Sequence, residues 1–233
     1  MKRIIKISLI LLLVGMAVIA AVPFLKEKRA ERKYENEFKN IQESVTEKKS
    51  DVNGLVKKNK DCIGYVEIPG TTISYPVMQT KDNPDFYLNN DFNRNYSFYG
   101  TPYLSAYCDV KKSDNLIIYG HNINGGKMFG ALEQYKNKEF FYKHKKIYFT
   151  TDKKREYEVF AVMSVNIHEF EYWKFVMARN KEEHDEFIDK VEEHSLWRQG
   201  NKPKYGEQML MLSTCNNGRG DDWRIVVIGK MIV

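Results

Sequence analysis

Beyond residue 60 the chain is written in short apolar or alternating runs broken by turn residues, and that rhythm confines it to a strand-built core. The runs are Ile63–Ile68, Thr72–Val77, Asn115–Tyr119, Lys146–Thr151, Glu156–Val165, Gln208–Ser213 and Arg224–Ile232. Their β-branched and aromatic content suits strands, and Pro69-Gly70 and Asp152-Lys153 suit the turns between them. One strong helix interrupts the pattern. Asn180 followed by Glu183 reads as a capping box, with Phe187, Ile188 and Val191 on the apolar side. Seven or more short strands with few helices predict a closed β-barrel or a sandwich.

At 233 residues the chain has room for one such domain and an appendage. An apolar share of 42% with 13% aromatics and only 6 prolines excludes a disordered or collagen-like chain. A mean hydropathy of -0.55 excludes a polytopic membrane protein. Three cysteines exclude a disulfide scaffold and leave at least one thiol without an intrachain partner. The net charge of +6 includes Lys2, Arg3 and Lys6 at the N-terminus. The remainder is too balanced to argue for a nucleic-acid partner.

From Ile7 to Leu25 the chain carries no charge, with Lys2, Arg3 and Lys6 in front. A hydrocarbon core about 30 Å thick needs roughly 20 apolar helical residues, so residues 1–25 read as a membrane anchor. The alternative is a cleaved signal peptide, with small residues at Ala17, Ala20 and Ala21. Either places the rest of the chain outside the cytoplasm. Residues 26–60 are dense in Lys, Glu and Arg, with Tyr34, Phe38, Ile41 and Val45 on one helical face, and read as a stalk. Asp51 is a candidate cap for a short second helix carrying Val52, Leu55 and Val56. Residues 61–233 form the third part, the strand-rich domain.

Cys215 ends the apolar run Met209–Cys215 and is followed at once by the polar loop Asn216–Gly220. A thiol at the lip of a buried strand is held rigidly yet meets solvent, as a nucleophile must; the plainer reading is a small core hydrophobe. Cys62 and Cys108 read as inert. Among five histidines, His144, His184 and His194 read as surface or solvated-helix residues, and His168 gives no clear signal. His121 differs, because the run Asn115–Tyr119 leads straight into Gly120-His121 and glycine permits a sharp turn there. Arg224 opens the last run nine residues after Cys215, so an antiparallel return brings its guanidinium beside the thiol, where it suits an oxyanion. Pairing with Asp221 or Asp222 is the competing reading of that arginine.

Two other motifs fail. Gly120–Met128 resembles a phosphate loop, but its spacing is off by one and Met128 stands where a magnesium-binding hydroxyl belongs. Arg219-Gly220-Asp221 is a short polar string best read as chance. No histidine or cysteine pairs have zinc spacing, so neither a metal nor another cofactor is expected.

The ordered strings YGHN (Tyr119–Asn122), LSTC (Leu212–Cys215) and DWRIVVIGK (Asp222–Lys230) resemble the catalytic segments of sortases. IGYVEIPGTTISYPVMQ (Ile63–Gln79), YLNNDF (Tyr87–Phe92) and KMFGALEQY (Lys127–Tyr135) resemble the class B branch, as does a helix Lys181–Trp197 between the sixth and seventh strands. The resemblance implies an eight-stranded sortase-type barrel with an N-terminal helical segment, on the outer face of a Gram-positive membrane. It implies a cysteine transpeptidase that cuts a C-terminal sorting signal in a secreted protein and joins it to an amine of a lipid II-type peptidoglycan precursor. By motif, Cys215 is the expected nucleophile, His121 the proton donor and Arg224 the oxyanion clamp. Ser213, Thr214 and Leu88 are expected in the substrate groove, and Tyr172 and Trp173 in the loop that meets the signal peptide. The chain departs from the branch at Asn216-Asn217-Gly218, small and polar where many members carry an aromatic or acidic residue. A secreted cysteine peptidase and a non-catalytic wall-binding module are the alternative readings. In papain-like peptidases the cysteine comes first, whereas here His121 precedes Cys215 by 94 residues.

Overall fold

The apolar runs pair into a sheet that closes on itself, because each strand buries its side chains best when no edge is left open. In this computed structural model, which describes residues 2–47 and 52–232, the strands are β1 (Cys62–Glu67), β2 (Ser74–Met78), β3 (Tyr103–Leu104), β4 (Asn115–Tyr119), β5 (Asn122–Ile123) and β6 (Lys127–Met128). They continue with β7 (Lys146–Thr150), β8 (Lys154–Asn166), β9 (Ser195–Arg198), β10 (Met209–Cys215) and β11 (Trp223–Met231). The order is β11-β10-β4-β3-β2-β1-β7-β8, and β8 pairs back onto β11, giving a closed eight-stranded barrel. Pairing is parallel at β2/β3 and β10/β4 and antiparallel elsewhere. β5 and β6 form a separate two-stranded ribbon.

The core lies where β4, β10 and β11 run side by side. Leu116–Ile118, Met209–Leu212 and Ile225–Ile228 have no exposed surface, each large side chain contributing roughly 1.5–3 kcal/mol by leaving water. These strands read as unbroken apolar runs because both of their faces are covered.

The expected helix Lys181–Trp197 is shorter than the class B resemblance implies. Helix α4 spans Lys181–Glu193, and Ser195–Arg198 is strand β9 instead. β7 covers β8 only as far as Glu158, and the edge freed beyond it takes β9 at Ala161–Met163. That pairing ends the helix, and Trp197 turns its indole N–H onto the Lys136 carbonyl, 3.0 Å away. Asn180 caps α4 as expected, accepting from the Glu183 N–H at 2.9 Å. The reciprocal arm is displaced by one residue: Glu183 reaches the Arg179 N–H rather than that of Asn180.

Contacts divide the chain into two units, Met1–Glu43 and Ser44–Val233. A single helix, α1 (Lys2–Glu47), runs through the leader and the charged segment without a break, with Pro23 inside it. Among the described residues, no helix is long and apolar enough to cross a membrane; the side chains of the expected span Ile7–Leu25 lie partly outside them. The side chains of residues 7–11 and 14, and of Tyr34, Phe38, Ile41 and Val45, lie outside those described, as does Asp51. Helix α2 (Val52–Lys58) forms where expected, with Val52 and Leu55 buried and Val56 exposed. Helix α3 (Lys138–Lys143) precedes β7.

Candidate active site

β4 carries five residues, Asn115–Tyr119, into Gly120 and His121, and β10 runs parallel beside it. Gly120 is needed here for closeness rather than for a turn, since a Cβ at this position would lie 2.7 Å from the Phe129 ring. The Thr214 hydroxyl donates to the Gly120 carbonyl at 2.7 Å, and the Gly120 N–H donates to Ser213 O at 3.2 Å. These bonds lock the end of β4 to the end of β10, where Cys215 stands half-buried. Its cross-strand partner on β11 is Arg224 itself.

Three side chains from three strand ends thus line one cleft of about 540 Å³: His121, Cys215 and Arg224. Leu88, Trp173, Ser213 and Thr214 line it as well. Tyr172 does not. It is 2% exposed, and its hydroxyl lies 2.7 Å from Ser213 Oγ, so it backs the wall instead of facing the groove. Burial pushes its phenol up to about 12, with the Ser213 hydrogen bond working against that rise, so it stays neutral.

The imidazole of His121 is held from two sides. Its Nε2 lies 2.8 Å from Leu88 O, and its ring stacks on Phe98 at 6.5 Å between centroids. A carbonyl only accepts, so Nε2 carries the hydrogen and Nδ1 is left to gain and lose a proton. Gly100 secures that carbonyl: it has φ +58, and a Cβ there would sit 2.3 Å from Leu88 O. Arg224 pairs with neither Asp221 nor Asp222 through a carboxylate. Its guanidinium donates to the backbone carbonyls of Asp221 (2.5 Å) and Trp223 (3.0 Å), which pins the fork at the hairpin and leaves its charge over the cleft.

Other expectations are revised by burial. The departure at Asn216-Asn217-Gly218 lies off the cleft wall: none of the three lines it, and Asn216 has no exposed surface. His184 is 1% exposed rather than solvated, and His144 packs its ring on Phe140 at 3.8 Å. His168 is exposed beside Asp222, and His194 stacks on Phe170. Cys62 and Cys108 are buried, and loss of hydration pushes the Cys62 thiol up to about 12 and raises that of Cys108.

Several residues in or beside the cleft escaped the sequence reading. Asp85 and Tyr103 face the cavity, bonded to each other at 3.0 Å. Burial, followed by the Asp85 carboxylate, raises the Tyr103 phenol. Asn122, already inside the YGHN string, donates to the Cys215 carbonyl at 2.7 Å. Its place directly after His121 was the available signal, whereas a two-residue strand such as Tyr103–Leu104 carries no periodicity to read. Among the described residues, no group of three or more His, Cys, Asp or Glu side chains converges to hold a metal.

An open thiol, an imidazole with one free nitrogen and a fixed guanidinium in one cleft can perform acyl transfer. The chain matches the sortase domain family over residues 66–232. It is 28% identical to sortase B of Staphylococcus aureus over 241 residues, covering 100% of this chain and 98% of that protein. The barrel resembles the crystal structure of Clostridium perfringens sortase B with a TM-score of 0.72 and 31% identity, covering 78% of this chain and 99% of that one. It also resembles a Staphylococcus aureus sortase B–substrate complex, with a TM-score of 0.78 and 26% identity over 87% and 97% of the two chains. With the barrel closed in the same way and the match running through both ends of the cleft, the chain belongs to the sortase family, in its class B branch, and is a cysteine transpeptidase.

Proposed function

We propose that Cys215 is the nucleophile, His121 the proton carrier and Arg224 the oxyanion clamp of this transpeptidase. The observation that carries the assignment is the convergence of all three on one cleft, with Cys215 and Arg224 directly paired across β10 and β11. The Cys215 thiolate attacks the scissile carbonyl, and the Arg224 guanidinium holds the oxygen that becomes negative. As the C–N bond breaks, the leaving amine takes its proton from Nδ1 of the imidazolium, and the acyl group remains on sulfur as a thioester. An acceptor amine then attacks that thioester and gives a proton to His121. The C–S bond breaks and the thiolate returns.

The acyl donor is a secreted protein bearing a C-terminal sorting signal, and the acceptor is an amine of a lipid II-type peptidoglycan precursor. This reading is supported by the class B family and by the sortase B–substrate complex that the chain resembles. The family suggests a role at the cell envelope. A single N-terminal tether with the barrel outside the cytoplasm is supported by the sequence, where basic residues precede an uncharged run at Ile7–Leu25. Leu12, Leu13, Met16, Val18, Ile19 and Val22 lie exposed on α1, an apolar surface that suits lipid.

The test incubates residues 26–233 with peptides of the NPxTx and xPxTG types, with and without an amine such as triglycine or a diaminopimelate compound. Mass detection should find a thioester on Cys215 and a ligated product in the presence of amine. Hydrolysis alone, unchanged by amine, would make the chain a peptidase. Binding without turnover would make it a wall-binding module.

A further inference from the structure

β4 leaves β10 at the pair Tyr119 and Ser213, two residues before the thiol. On that side the Cys215 carbonyl therefore has no strand to donate to it, and a carbonyl at such a position needs a partner. The partner is a side chain. Asn122 Nδ2 donates to Cys215 O at 2.7 Å and to Glu133 Oε1 at 2.9 Å, using both hydrogens of one amide.

The connection continues away from the cleft. Glu133 forms an ion pair with Lys136 on the same short 3-10 turn, Gly130–Lys136. Lys136 Nζ donates to Asn216 Oδ1 at 2.6 Å, and Asn216 Nδ2 donates to Ser164 Oγ on β8 at 2.9 Å. Ser164 lies across from Ile225, the residue after Arg224. One unbroken series of polar contacts thus joins the residue after His121, the residue after Cys215 and the strand beside Arg224. Asn122, Glu133, Lys136 and Asn216 do not line the cleft. Asn216 is fully buried, so its amide must be satisfied inside the protein, and a chain of such bonds stiffens the groups it joins.

We propose that the bridge Asn122–Glu133–Lys136–Asn216 is a positioning device that fixes the Cys215 and His121 strand ends relative to each other. The proposal rests on the reading of Cys215 and His121 given above. These residues act through the backbone of the reacting groups. They set the distance and angle between thiol and imidazole, to which acyl transfer is steeply sensitive. Asn216 is the buried end of this bridge.

The test compares Glu133→Ala, Glu133→Gln and Asn122→Ala with wild type in two measurements on the full chain. The first is amide hydrogen exchange without any peptide. Glu133→Ala and Asn122→Ala should speed exchange around His121–Ile123 and Cys215–Arg219 while the strands of the barrel keep wild-type protection. The second is peptide cleavage, where both alanine variants should lose about ten-fold in kcat with KM within about two-fold. Glu133→Gln keeps an oxygen for Asn122 and should recover to within about three-fold. Wild-type exchange and kcat in the alanine variants overturn the proposal. So does faster exchange spread evenly over the barrel, which is plain destabilisation, or a rise in KM alone. Cleavage surviving Cys215→Ala instead overturns the nucleophile assignment and leaves the exchange result to stand or fall by itself.

Discussion

The body of the barrel and its open end are built from the same strands under opposite requirements. Along β10, Met209–Leu212 are sealed from solvent, while the next three residues, Ser213, Thr214 and Cys215, are polar and border the cleft. In the first stretch the side chains contribute chiefly by burial. In the second, the hydroxyls of Ser213 and Thr214 are each committed to one partner, Tyr172 and the Gly120 carbonyl. The difference teaches that a reactive group is best placed one residue past the point where packing stops: the buried part fixes the strand, and the last side chain inherits that rigidity while meeting water. The cysteines repeat the lesson, with Cys62 and Cys108 sealed in the body and Cys215 at the end.

The sharpest way to break this comparison is Cys215→Ala. Peptide cleavage should fall roughly 10⁴-fold, while the melting temperature stays within about 2 °C because the residue carries little of the core. A variant that still cleaves would move the nucleophile elsewhere. Alkylation then sharpens the contrast between the two regions. A thiol raised to about 12, as at Cys62, is almost wholly neutral at pH 8 and holds roughly a thousand-fold less thiolate than an ordinary cysteine. Iodoacetamide at pH 8 should label Cys215 alone on the folded protein and all three cysteines in guanidinium, read by peptide mass. Because the thiol pKa is raised in the fold, that protection should hold across neutral pH and weaken only as the pH climbs toward 12.

Arg224→Lys keeps the charge but loses the fork that bonds the Asp221 and Trp223 carbonyls. Single-turnover acylation should slow by about 10²-fold; an unchanged rate removes the oxyanion role. In the body, Leu212→Ala should cost about 3 kcal/mol of stability in urea unfolding, yet leave kcat per folded molecule within about two-fold. If activity fell with it, the two regions would not be separable. The smallest effect is expected at Gly100→Ala, where the added Cβ presses on the carbonyl that holds His121 Nε2. About a ten-fold loss of kcat, with little change in KM, would support that support role.

Much of the barrel was legible because its strands are long enough to show a pattern. Asn115–Tyr119 forms as predicted, and β1, β7, β10 and β11 fall within one or two residues of expectation. β3 was invisible because two residues carry no period, and it exists only through pairing with Met78, Tyr119 and Ile118. β9 lies where the class B resemblance implies more helix; the free edge of β8, a feature of the assembled sheet, decides otherwise. The leader shows the converse. Its uncharged run is plain in the sequence, yet among the described residues no helix is long and apolar enough to cross a membrane.

The sequence by itself determined three residues that line the cleft, because a thiol, an imidazole and a guanidinium each end, follow or open a strong apolar strand. The tertiary structure alone decided how they are held. Leu88 O against His121, Gly120 against Phe129 and Asn122 against Cys215 O join positions far apart in the chain. Contacts of that kind depend on which strand ends become neighbours when the sheet closes, and local patterns record only the tendency of each strand to form.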